Sequence, residues 1–144
     1  MLKIRKHRQK RDVLGFRLPM LTYEEPELDV SEIIVIDPDN TFFMRMGSTA
    51  MTSYHILNDH ILVIDRSLTP VTGSIVVFFY EGHFYTRVYM PQTGRLVLKG
   101  NTAGDDISIE QGNHFACWGV VTLTLNPVLQ PQHRIGRYAN VCAC

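Results

Sequence analysis

Between Thr41 and Tyr89 the chain carries three short apolar runs, Phe42-Phe43-Met44, Ile61-Leu62-Val63-Ile64 and Ile75-Val76-Val77-Phe78-Phe79, and no other feature constrains the fold as strongly. The runs are rich in β-branched and aromatic residues, too short for separate helices and bounded by turn formers, so they read as buried strands. A polar elbow, Gly47-Ser48-Thr49-Ala50-Met51, separates the first two. Chemistry is expected at that elbow.

The neighbouring sequence extends the same pattern. Strands are predicted over Thr41 to Met46, Ile61 to Asp65, Ser74 to Tyr80, His83 to Met90, Arg95 to Lys99 and His114 to Leu125. Glu81-Gly82 is a two-residue hairpin signal, because such loops need backbone with positive φ. Alternation along the second arm of that hairpin puts Phe84, Thr86, Val88 and Met90 on one face and His83, Tyr85, Arg87 and Tyr89 on the other, a semi-polar one. Thr93-Gly94 marks another turn, and Gly100 to Asp106 a loop rich in capping side chains. Upstream, Asp29 stands three residues before Glu32 like a capping box, so one short helix is expected over Asp29 to Ile36, ended by Asp37-Pro38.

The expected architecture is therefore mostly β, six or seven antiparallel strands curled around one core, with one short helix and an extended amino-terminal arm. Its parts are an arm over residues 1–26, a folded domain over 27–129 and a tail over 130–144. A chain of 144 residues, 45% of them apolar, is enough for one sizeable core.

Fourteen basic and fourteen acidic residues balance, but they are segregated. Lys3, Arg5, Lys6, Arg8, Lys10 and Arg11 precede the first acid, and Glu24, Glu25, Glu27, Asp29, Glu32, Asp37 and Asp39 form an acidic shoulder. The basic arm offers phosphate contacts to nucleic acid; a solvated terminus is the plainer reading. Three cysteines cannot close a disulfide framework, which fits free thiols in a cytoplasmic protein. No run approaches the roughly 20 apolar residues of a membrane span.

These residues, taken from about Asp29 to Leu129, resemble the carboxy-terminal domain of LexA-type repressors and the UmuD mutagenesis proteins, self-cleaving peptidases built on a serine-lysine dyad. The short chain, without a preceding helix-turn-helix domain, is closest in layout to UmuD. The resemblance is carried by Thr41-Phe42-Phe43-Met44-Arg45, the elbow, Ile61-Leu62-Val63-Ile64-Asp65, Gly73-Ser74-Ile75-Val76-Val77, Gly82-His83-Phe84 and Trp118-Gly119-Val120-Val121.

Carried over residue by residue, the family's Gly-Asp-Ser-Met elbow falls on Ser48-Thr49-Ala50-Met51, which puts Ala50 at the nucleophile position. Counting from Gly82-His83-Phe84 puts Arg87 at the lysine position. Alanine has no hydroxyl to attack a carbonyl, and a guanidinium stays protonated with no lone pair to accept a proton. A shifted register would make Ser48 an alternative nucleophile, and Ser53 a more distant one, at the cost of the ungapped match to Met51 and Asp65. The family's cleavage site, normally Ala-Gly or Cys-Gly in the arm, falls on Leu14-Gly15.

Other constellations have plainer explanations. His55, Asp59 and His60 lack further ligands at metal-site spacing and read as a polar surface loop. Cys142 and Cys144 have no matching pair elsewhere, so no metal and no cofactor is expected. Trp118, taken together with Phe115, reads as core or interface area. The resemblance implies an SOS-response protein, catalytic loss, a homodimer, and partnership with a UmuC-like translesion polymerase and a RecA-like filament. The competing readings are an active self-cleaving peptidase using Ser48, a nucleic-acid-binding protein using the basic arm, and a LexA-like regulator.

Overall fold

Seven strands form one antiparallel sheet in the computed structural model, which describes Ile34 and residues 37–133. They are β1 (Thr41–Arg45), β2 (Ile61–Asp65), β3 (Ile75–Tyr80), β4 (His83–Gln92), β5 (Arg95–Lys99), β6 (Ile107–Glu110) and β7 (Ala116–Leu125). Their spatial order is β1-β2-β7-β3-β4-β5-β6.

The unbroken apolar runs are explained by this order. All five residues of β2 are buried, with β1 on one side and β7 on the other. Strand β3 is likewise flanked on both sides, by β7 and β4. The β3–β4 turn is as expected: Glu81 (φ 47°) and Gly82 (φ 85°) both take the left-handed conformation, which matches the twist of the strands they join. The turn sets a register running from Tyr80↔His83 to Ile75↔Val88.

Strand β4 is shared between two partners. It pairs with β3 over His83 to Val88 and with β5 only over Val88 to Gln92. On its β5 side, therefore, no described strand pairs with His83 to Arg87. This half of β4 forms one wall of the site described below.

The expected single core is corrected to two hydrophobic clusters. Alternation along β3 sends Val77 into one cluster, with Met44, Met51, Leu62 and Ile64, and sends Val76 and Phe78 into the other, with Leu98, Ile109 and Val120. A sheet whose central strands are buried on both faces needs cover on each.

Several boundaries also differ. Strand β6 was not foreseen; it is four residues long and buries only Ile109 fully, so its sequence signal is slight. The last strand starts at Ala116, not His114, and β4 runs on to Gln92. Of the expected 29–36 helix, Ile34 is helical and the other residues lie outside those described. The arm, Cys142 and Cys144 also lie outside, and of the tail Pro131–His133 forms a 3-10 turn. Strand β7 is interior, held between β2 and β3, and the sheet's edges are β1 and β6. Among the described residues no helix is long and apolar enough to cross a membrane.

Candidate functional site

The elbow is formed by a pinch in the chain. Met46 N–H donates to the His60 carbonyl (2.8 Å) and Asp59 N–H to the Met46 carbonyl (2.8 Å), closing the base of the segment between β1 and β2. Met46, Met51 and Ile56 are all buried, and the N–H groups of Tyr54 and Ile56 both donate to the Met51 carbonyl. Gly47, Ser48 and Thr49 are left exposed between two inward methionines, with Ala50 half-buried. Met51 points inward, as the family pattern implies.

Across from the elbow stands the half-partnered end of β4. Gly47 to Ala50 and His83 to Arg87, together with Met46 and Asp105, line one cavity of about 370 Å³. Ala50, Ser48 and Arg87 are thus brought to a single space; Leu14 and Gly15 lie outside the described residues. A separate cavity of about 260 Å³, between the β4–β5 turn and the segment Ile109 to Phe115, shares no lining residue with it.

Arg87, on the semi-polar face of β4, is 7% exposed. Its guanidinium lies over the Tyr85 ring at 5.5 Å, and Tyr85 stacks in turn on Phe78. Nε donates to the Asp105 carbonyl and Nη1 to the Thr86 carbonyl, both at 2.7 Å. Burial draws the Arg87 pKa below its ordinary value, opposed by Asp105, Tyr85 and Asp106. Arginine nonetheless remains a cation and a donor only.

Asp105 comes from the loop 100–106, whose part in the site the sequence did not reveal. Its carboxylate is turned into the loop, accepting from the Thr102 N–H (3.0 Å) and hydroxyl (2.9 Å), while Asp106 accepts from Gly100 N–H (2.9 Å). Asn101 Oδ1 accepts from Ser53 N–H at 2.8 Å, tying the loop to the turn after the elbow. A Cβ at Gly100 would collide with Asp105 Cβ and approach Arg87 Nε to 3.1 Å, so only glycine lets the loop close on the guanidinium. The available signal was the pattern Thr102-Ala103-Gly104-Asp105, a capping box.

Ser48 Oγ accepts weakly from Ala50 N–H (3.5 Å). His83 Nδ1 donates to the Glu81 carbonyl (3.2 Å). The expected polar loop around His55 needs one correction: His60 is buried, with Nδ1 accepting from Leu57 N–H at 3.3 Å. Trp118 packs against Phe42 and Phe84, and Phe115 against Phe78 and Tyr89, each beside a different core cluster. Among the described residues no group of three or more His, Cys, Asp or Glu is placed to hold a metal.

Comparison with known proteins gives a consistent set of relatives. Residues 14–122 match the family model described as Peptidase S24-like. The chain is 33% identical over 112 residues to Protein MucA of Salmonella typhimurium, covering 77% of each chain. It is 32% identical over 94 residues to Protein ImpA of Shigella flexneri, covering 65% of this chain and 60% of the relative. With Protein SamA of Salmonella typhimurium it shares 31% identity over 70 residues, or 49% of this chain and 50% of the relative.

Proposed function

The chain belongs to the peptidase S24-like family, with UmuD-family relatives, and from that membership we propose that it is a catalytically inactive UmuD-like homologue, a dimeric scaffold or regulator of a translesion polymerase. The observation that carries this reading is the pairing of Ala50 and Arg87 on one cavity. A serine-lysine dyad needs a hydroxyl on one wall and a neutral amine on the other. Here one wall presents a methyl group and the other a permanent guanidinium. Loss of the nucleophile in a serine peptidase costs on the order of a millionfold in turnover, and Arg87 has no lone pair with which to act as base.

What remains is a groove between the elbow and β4, and grooves of this kind hold an extended segment through shape and backbone pairing without any nucleophile. The proposed partners are a second copy of the chain, a UmuC-like polymerase and a RecA-like filament, in the cytoplasm. A second reading, self-cleavage through Ser48, is favoured by one observation, the presence of Ser48 on the same cavity.

Intact mass after long incubation at mildly alkaline pH separates the two readings. The unmodified chain should stay whole; an arm-less product would overturn inactivity and point to Ser48. Sedimentation tests the dimer independently, and a monomer mass at tens of micromolar would sink the scaffold reading.

A further inference from the structure

Strand β1 is an edge of the sheet, so half of its backbone groups face away from any described strand. Paired bonds alternate along an antiparallel ladder, and just beyond the two ends of β1 they are fixed: Arg66 N–H donates to the Asn40 carbonyl (2.9 Å) and Met46 N–H to the His60 carbonyl (2.8 Å). Phe42 and Met44 therefore bond to β2, opposite Ile64 and Leu62, and Phe43 between them directs its N–H and C=O outward. Among the described residues no hydrogen bond reaches those two groups. The Phe43 side chain is 43% exposed on one face of the sheet and that of Phe42 37% on the other. We propose that this edge is where two copies of the chain join, β1 against β1, antiparallel about a twofold axis through Phe43. The inference rests on the dimer of the reading above and supplies its surface.

The occupant is a second copy because the edge is complementary to itself. A twofold axis sets a strand antiparallel to its own image and repeats each contact. In this register the two copies of Phe43 face each other and exchange both N–H to carbonyl bonds, while Phe42 of each copy stands opposite Met44 of the other, so both faces of the seam are apolar. On the Phe43 face the apolar surface continues through Val63, which pairs with both Phe43 and the exposed Leu123. No like charges meet, since Arg45 is the only charge in β1, falls opposite Thr41, and lies 4.0 Å from Asp59. The strand also lacks the devices that keep edges apart: it contains no proline or lysine, and its pairing with β2 runs without a bulge. The other edge is unsuited to the same contact. Strand β6 is bracketed by Asp105, Asp106 and Glu110, and antiparallel self-pairing would set acids against acids.

The test uses the full chain, with sedimentation to measure the dimer and amide exchange by NMR to locate its seam. In the dimer the Phe43 amide should exchange as slowly as those of Phe42 and Met44, although β2 protects only the latter two. Phe43→Pro removes the outward N–H and leaves the ladder to β2 in place, because an edge strand accepts proline where its nitrogen faces out. Each dimer then loses two bonds across the axis, so its dissociation constant should rise at least about tenfold, with Trp118 emission unchanged as the sign of an intact fold. If that variant does not fold, Phe43→Lys takes its place, since it sets two like charges opposite each other and keeps every backbone group. A dimer in which the Phe43 amide exchanges fast, or a folded variant with an unchanged dissociation constant, overturns this surface and leaves the dimeric reading standing. A monomer mass at tens of micromolar overturns both.

Discussion

Arg87 Nε donates to the backbone carbonyl of Asp105 at 2.7 Å, and this bond joins two segments 18 residues apart into one wall of the cavity opposite Ala50. It also explains why a charged residue is tolerated at 7% exposure, since its donors are partly satisfied by main-chain oxygens.

Ala50→Ser alone should not restore self-cleavage. The two dyad positions act as one unit, so a hydroxyl without a base gains little. The least change expected to permit cleavage is Ala50→Ser with Arg87→Lys, and Leu14→Ala should accompany it because the residue before the scissile bond must fit a small pocket. Mass spectrometry of each variant after long incubation reports a break after residue 14. Cleavage by the single variant would show that the register or the account of Arg87 is wrong.

Gly100→Ala and Gly119→Ala should both destabilise the fold, for different local reasons. At Gly100 the new methyl meets Asp105 Cβ and crowds Arg87, so the loop must withdraw from the site. At Gly119 it meets Ile64 Cγ2 at 2.5 Å and the Asp65 carbonyl at 3.1 Å, in a core with no room to move. Overpacking of this kind costs about 1–3 kcal/mol. Denaturant midpoints measure the loss, and wild-type stability for Gly119→Ala would refute the close approach of β7 to β2.

Arg66→Ala should change the environment of Trp118, the chain's single tryptophan. The Arg66 guanidinium lies 5.0 Å from the Trp118 ring and 5.7 Å from Phe42, and its Nε donates to the Trp118 carbonyl at 3.2 Å. An exposed cation–π contact is worth about 0.5–1 kcal/mol, so stability should fall little while tryptophan emission shifts. Unchanged emission would mean that this stack does not persist in solution.

Cys117 gives a pH dependence with a definite sign. Burial raises its thiol pKa, so between the unfolded and folded values the native state holds the proton and the unfolded state has lost it. Stability from this source is complete below the ordinary thiol pKa of about 8.5 and is lost as pH rises through the folded value. Cys117→Ala should therefore decline less than the unmodified chain in alkaline denaturation, and Cys117 should alkylate slowly at pH 8 when followed by peptide mass. Parallel pH profiles for the two chains would remove the claim.

Local chemistry made most of the sheet legible. The runs Ile61 to Ile64 and Val76 to Phe78 announce buried strands because every residue in them is apolar and suits a covered position. Glu81-Gly82 announces its hairpin because two successive positive φ angles demand such residues. The elbow stands out because Gly47, Ser48 and Thr49 interrupt the apolar runs on either side of it. Strand β6 escaped notice because four residues with one fully buried side chain carry too little pattern.

By itself, then, the sequence determined six of the seven strands and the β3–β4 turn, since these depend on side-chain alternation and on backbone preferences within a few residues. Only the tertiary structure decided that β7 inserts between β2 and β3, that the sheet divides two clusters, and that Arg87 is enclosed by the loop 100–106. The Ser53 bond to Asn101 spans 48 residues, and no local periodicity encodes it. Such contacts arise because β7 and the loop settle where they bury the most apolar surface and satisfy the most polar groups at once, a condition set by the whole chain.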